Sequence, residues 1–296
     1  MQTEETNFFD WQECFASEAA CGEFLAKQRC SEGFICPQCG HEHALWINSR
    51  RVYQCAHRRH QVSVTVGTLF YASKLPLRKW FWANYLVVTD KGGISALRLS
   101  KLLDVSWSTA YRMLRKLRVA MGHRDSLYRL ANWIELDDAF IDGKWPGKGG
   151  RGAEGKTPIL VACEDRGEQA GFLAMEVTES VSAQHVKQFA ARHLKAGQTV
   201  FTDALPTLNA LTEEQLHCPR VTPPEQGNCW LLWVHVAIAK LKRYLLGTYH
   251  GVTATYLQGY PNEFCYCFNR RFWEPQLPMR LLSLCVNHAP VKLNIR

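Results

Sequence analysis

From Trp133 onward the hydrophobic pattern alternates between short apolar runs of strand length and longer stretches of helical periodicity. The pattern predicts strands over Trp133–Ile141, Ile159–Cys163, Gly171–Val177 and Thr199–Thr202, and helices over Ser182–Leu194 and Trp233–Leu246. Ala254–Phe268 reads as largely helical despite Pro261, and Asp142–Thr157 as a loop rich in glycine and lysine. Three polar residues interrupt these apolar segments: Asp137 in Trp133-Ile134-Glu135-Leu136-Asp137, Asp203 in Val200-Phe201-Thr202-Asp203, and His235 in Trp233-Val234-His235-Val236. Lys242 follows His235 by seven residues.

Three strands, a helix, a strand and a helix is the order of a ribonuclease-H-like α/β fold. Asp137 and Asp138 point to opposite faces of the first strand, so one of them faces any site, and alternation does not say which. An aspartate within an apolar strand is rarely a satisfied core residue. Two such carboxylates and an imidazole opening a helix suit a divalent-cation site of the kind that cuts and rejoins phosphodiesters. Mg2+ prefers oxygen ligands, and the softer imidazole predicts that Mn2+ is accepted as well. Seven residues is about two helical turns, which puts Lys242 on the His235 face as a point charge for a phosphate.

Upstream, apolar residues from Phe8 to Phe24 predict one helix over residues 8–29. Cys36-Pro37-Gln38-Cys39 is followed by a hairpin (Ala44–Ile47, Arg51–Gln54) that returns Cys55, the outline of a zinc ribbon. A second CxxC would need cysteine at 58, where Arg58 stands, leaving His57 or His60, and more weakly His41, as the fourth ligand. Beyond the ribbon, a helix opening at Pro76 and a short helix over Ile94–Leu103 are predicted. A turn at Asp104–Ser106 and a helix capped by Ser106 or Ser108 and running through Arg118 follow, in the helix-turn-helix order. Trp107, Ser108, Thr109 and Arg112 would then face a major groove, with Arg115, Lys116 and Arg118 on phosphates. Residues 71–121 carry ten basic side chains against two acidic ones, which points to a polyanionic partner. Residues 122–132 read as a linker.

The chain of 296 residues, 47% apolar, is long enough for several folded domains. Its start has neither a basic n-region nor an apolar h-region, and no run approaches the ~18 apolar residues of a membrane span. Its twelve cysteines are therefore expected as reduced thiols of a cytoplasmic protein. Cys163, Cys218, Cys229, Cys265, Cys267 and Cys285 show no ligand spacing and read as small buried apolar residues.

Longer segments carry a family resemblance. They are Gly33-Phe34-Ile35-Cys36-Pro37-Gln38-Cys39-Gly40-His41, Gly67-Thr68-Leu69-Phe70, Ile134-Glu135-Leu136-Asp137-Asp138, Thr202-Asp203 and Trp233-Val234-His235 with Leu241-Lys242. Gly247-Thr248-Tyr249-His250-Gly251-Val252, Glu263-Phe264 and Phe268-Asn269-Arg270-Arg271-Phe272 complete the set. The sequence resembles bacterial insertion-sequence transposases of the DDE superfamily, in the group with an N-terminal zinc ribbon, across nearly its whole length. The resemblance implies that Asp137 and Asp203 are the metal-binding aspartates, that His235 is the variable third residue and that Lys242 is the downstream lysine. It also implies Mg2+ or Mn2+ in the site and Zn2+ in the ribbon. Arg270 and Arg271 are expected to grip DNA. The expected domains are a helix and zinc ribbon over 1–70, a helix-turn-helix over 71–124 and a ribonuclease-H-like domain over 125–296. The expected partners are double-stranded DNA, as terminal inverted repeats and target, and a second copy of the chain assembled on it. No membrane partner is expected, and the protein would work at the bacterial nucleoid. The chain departs from the group at Arg58, at Asp138 in place of glutamate, at Asp142 in place of glycine, at Pro261, and at Cys267 in place of arginine. The alternative expectation is a degenerate copy that only binds DNA.

Overall fold

The computed structural model describes residues 5–142, 156–221, 230–250 and 252–293. Most of the expected glycine- and lysine-rich loop, together with Cys229 and Gly251, lies outside the described residues. The chain forms two compact units, Met1–Ala120 with Phe272–Arg296, and Met121–Arg271. No helix among the described residues is long and apolar enough to cross a membrane.

In the first unit the expected single N-terminal helix is two, α1 (Phe8–Cys14) and α2 (Glu18–Arg29). The break falls where Ser17 accepts the Ala20 N–H and starts a new helix. A three-stranded antiparallel sheet follows in the order β1 (Ala44–Ile47), β2 (Val52–Cys55), β3 (Gln61–Ser63). Its third strand is too short to leave a periodic signal. The helices are α3 (Leu77–Thr89), α4 (Ala96–Leu103) and α5 (Trp107–Asp125). Glu18 caps α3 from a distance, accepting the Leu77 and Arg78 N–H groups at 2.7 and 3.0 Å. Ser95 caps α4, Asp104 turns the chain in the left-handed region, and Ser106 accepts the Thr109 N–H in the first turn of α5. α5 runs past Arg118 into the stretch expected as a linker.

The second unit is a mixed α/β layer. Its five-stranded sheet has the order β6 (Ala170–Val177), β5 (Lys156–Asp165), β4 (Trp133–Asp142), β7 (Thr199–Thr202), β8 (Leu216–Pro219). β4, β5 and β6 pair antiparallel, and β4, β7 and β8 pair parallel. α6 (Ala183–His193), opened by Ser182, connects β6 to β7. After β7 come a 3-10 helix over Pro206–Glu213 and then β8, neither of them expected. α7 (Leu232–Thr248), α8 (Ala254–Leu257) and α9 (Gly259–Asn269) complete the unit. Pro261 sits in the first turn of α9, where its missing N–H costs no helical bond.

Side-chain alternation divides the core. Ile134, Leu136 and Val200 pack with Val186 and Phe189 of α6 on one face. Ala139 and Ile141 pack with Val234, Ala237 and Leu241 of α7 on the other. Odd-numbered residues of β4 therefore face α7, and Asp137 is one of them.

The last helix, α10 (Leu277–Asn287), groups with the first unit and not with the strand–helix domain expected to contain it. Its Leu281, Leu282 and Cys285 are wholly buried there. The Cys285 carbonyl accepts the Leu69 N–H at 2.9 Å, and its thiol donates to Asn84 Oδ1 at 3.2 Å.

Candidate active site

β4 and β7 run side by side in parallel, with Glu135 opposite Phe201 as their last paired positions. Asp137 and Asp203 each lie two residues beyond that pair, Asp137 within β4 and Asp203 just past the end of β7. Asp137 is buried and Asp203 half-buried. Asp203 Oδ1 accepts the Leu205 N–H at 3.1 Å, fixing the turn that ends the strand.

The third residue arrives from α7. His235 Nε2 donates to Asp137 Oδ2 at 3.2 Å. That bond holds the His235 pKa above its ordinary value; burial opposes it, and the negative charges of Asp137, Glu135 and Asp203 reinforce it. His235 Nδ1 is buried and has no hydrogen-bond partner among the described residues. Lys242 lies exposed two turns along the helix, about 10 Å of rise from His235. His235 thus contacts Asp137 and feels the charge of Asp203, while Lys242 lies on the same helix at its solvent face.

A third acidic residue, absent from the expected set, stands beside them. Glu135 is only 5% exposed, and its Oε2 accepts the Val234 N–H at 2.7 Å. Burial raises its pKa, and the N–H groups of Val234 and Trp233 partly offset that. Its parity with Asp137 on β4 is the available sequence signal.

Two carboxylates and an imidazole are a donor set suited to a divalent cation. They are not drawn into a closed cage. Among the described residues, the group of three donor atoms that lie within 4.8 Å of one another is Cys36, Cys39 and Cys55.

Those cysteines form the ribbon cluster, with Cys39 Sγ and Cys55 Sγ 3.6 Å apart. In the first knuckle the Gly40 N–H donates to the Cys36 carbonyl and the Cys36 N–H to the His41 carbonyl, both at 2.9 Å. In the second the Arg59 N–H donates to the Cys55 carbonyl and the Cys55 N–H to the His60 carbonyl, again at 2.9 Å. Gly40 and Arg59 share left-handed backbone, with φ of 69° and 55°. The second knuckle keeps its turn while Arg58 occupies the ligand position. The His57 ring lies 5.7 Å from that of His41, and no histidine joins the thiol cluster among the described residues. Three soft thiols suit zinc, and among the described residues the fourth position has no ligand in place.

The expected DNA contacts divide. Trp107 is 54% exposed and stacks on Tyr111 at 5.1 Å, and the Arg115 guanidinium lies 5.8 Å from the Tyr111 ring. Ser108 and Arg112 are exposed, and Thr109 is half-buried. Lys116 lies 5.9 Å from the Trp80 ring, and burial lowers its pKa. Arg118 is a correction: it is 3% exposed and faces the interior, out of reach of a phosphate.

Arg270 and Arg271 are likewise corrected. Arg270 pairs with Asp125 at 2.7 Å and lies 3.9 Å over the Tyr266 ring. Arg271 donates to the carbonyls of Ala170, Gly171 and Phe268. Both guanidinium groups are engaged within the unit and not turned to a ligand. Cys163, Cys265 and Cys285 are buried as expected, while Cys218 and Cys267 are half-buried.

Residues 129–269 match the ISXO2-like transposase domain, and residues 16–61 match the transposase zinc-ribbon domain. A relative is the uncharacterized protein in transposable element ISH50 of Halobacterium salinarum. It is 28% identical over an alignment that covers 84% of this chain and 90% of the relative.

Proposed function

We propose that this chain, which matches the ISXO2-like transposase and transposase zinc-ribbon domains, is an insertion-sequence transposase that binds the terminal inverted repeats of its element and catalyses metal-dependent strand cleavage and strand transfer. The ribbon (1–70) and a helix-turn-helix (71–124) hold the DNA, and a ribonuclease-H-like domain that begins near residue 125 and ends at Arg271, short of the 296 expected from sequence, performs the chemistry. The order of β6, β5, β4, β7 and β8, three strands antiparallel and two parallel, supports that last assignment.

Asp137, Asp203 and His235 would hold the divalent cations, which when bound supply Lewis-acid polarisation and an activated oxygen nucleophile. Asp137 and Asp203 concentrate negative charge on adjacent strands. His235 presents a ring nitrogen to that charge, and its softness makes Mn2+ an effective substitute for Mg2+. Lys242 pins a phosphate of the strand as a point charge. Trp107, Ser108, Thr109 and Arg112 approach base edges, with Arg115 and Lys116 on the backbone. The two ends of an element must meet in one complex, so a dimer assembled on DNA is the working form.

The observation that carries the reading is the 3.2 Å contact between Asp137 and His235, residues far apart in sequence, with Asp203 close enough to act on the same imidazole. The test is cleavage of DNA bearing the terminal repeats by the full chain, in Mg2+ and in Mn2+. Asp137→Asn and Asp203→Asn should each lower the rate by at least about a hundred-fold while leaving DNA affinity unchanged. Tight binding without nicking in either cation would leave a protein that only binds DNA. Nicking without joining of a supplied 3′-hydroxyl end would leave a nuclease.

A further inference from the structure

α7 starts without a cap of its own. Leu231 precedes it in the left-handed region, at φ 61°, no side chain of that position accepts from the helix, and its first turn holds no acidic residue. The first N–H groups of a helix nevertheless need acceptors. Here the acceptor comes from the middle of the sheet: Glu135, 99 residues away in sequence, takes the Val234 N–H on Oε2 at 2.7 Å. The Trp233 N–H faces the same carboxylate.

Glu135 and Asp137 are alternate residues on one face of β4, about 6.7 Å apart along the strand. Val234 and His235 are consecutive on α7. One strand carboxylate therefore grips the helix backbone at 234 while the next grips the side chain at 235. Slippage of the helix by one residue would turn His235 by about 100° and break its contact with Asp137. A bond to the backbone fixes both the height and the rotation of the first turn.

Burying a carboxylate costs several kcal/mol unless it is well bonded, and Glu135 has no cationic side chain in ion-pair contact among the described residues. An ordinary serine or aspartate cap at 231 would satisfy the helix without that burial. We propose that Glu135 is a positioning residue for the reaction: it anchors the first turn of α7 to β4 and so aims the His235 imidazole at Asp137. The proposal rests on the reading of Asp137, Asp203 and His235 as the site.

The test compares Glu135→Gln, which keeps an acceptor oxygen, with Glu135→Met, which keeps length and buries well but accepts nothing. Both are made in the full chain and assayed at a temperature where circular dichroism shows them folded. Glu135→Met should cut terminal-repeat DNA about 10- to 100-fold more slowly with unchanged DNA affinity. Its 15N-labelled His235 should lose the Nε2–H signal bonded to Asp137. Glu135→Gln should keep that signal and stay within about ten-fold of the parent rate. A glutamine variant as inactive as Asp137→Asn would overturn the proposal by making Glu135 part of the chemistry itself. So would a methionine variant that keeps both signal and rate. If the parent chain cuts nothing, the activity reading fails, and the imidazole signal alone still decides whether Glu135 aims His235.

Discussion

Arg58 sits in a knuckle whose hydrogen bonds repeat those around Cys36–His41, so the turn persists without the side chain that would close the site. A zinc ion held by four thiolates is enclosed and leaves its site slowly. Arg58→Cys should therefore slow zinc release to a colorimetric chelator by about ten-fold or more, and equal release rates would show that a histidine already completes the site. At this scale the sequence is informative where a side chain contradicts its surroundings. Asp137, Asp203 and His235 are visible because polar residues interrupt apolar runs. Glu135 escapes notice because two neighbouring acids draw attention from it, although its parity with Asp137 places both on one face. Arg118 misleads when charge alone is considered. It lies four residues after Leu114 and three before Met121, so helical spacing puts it on the buried side of α5.

Elements explain the Phe-Asn-Arg-Arg run better than residues do. β6 is an edge strand, and an open edge exposes a row of unpaired backbone groups. Asn269 Oδ1 accepts the Leu173 N–H at 2.7 Å and its Nδ2 donates to the Leu173 carbonyl at 3.0 Å, as a neighbouring strand would. Gln258 does the same one step along, accepting from Val177 at 2.7 Å and donating to Met175 at 3.1 Å. Arg271 covers the carbonyls of Ala170 and Gly171. Asn269→Ala should therefore cost about 3 kcal/mol, since it leaves buried backbone groups unsatisfied. Arg270→Ala should cost a similar ~3 kcal/mol by stranding Asp125. Urea unfolding reads the loss, and DNA affinity measured on the folded variants should not move. A fall in affinity without a fall in stability would restore the arginines to a DNA-gripping role. In the sequence this run reads as a basic patch, because composition shows the charges and not the carbonyls that meet them. Most strands and helices of the second unit are legible from periodicity; β3, three residues long, is too short to show it, and β8 breaks its apolar pattern with His217 and ends in a proline.

Across the whole molecule, the division into units departs from chain order, because residues 272–296 return to the N-terminal unit. No pattern within α10 announces that, since an apolar face says that it will be buried and not where. A chain ending at Arg271 should retain a protease-resistant fragment from the second unit, while the first unit, lacking Leu277, Leu281, Leu282 and Cys285 from its core, is digested. Limited proteolysis with mass spectrometry checks this, and equal survival of both units would contradict it.

The plugging of β6 from behind also sets a timetable for synthesis. The strand leaves the ribosome nearly a hundred residues ahead of the amide at 269 that will cover it, an interval of roughly 5–20 s at the usual pace of synthesis. During that time the newborn sheet has a bare flank on which another nascent chain can add. A message cut short before Asn269 would then yield clumped protein rather than a dispersed fragment.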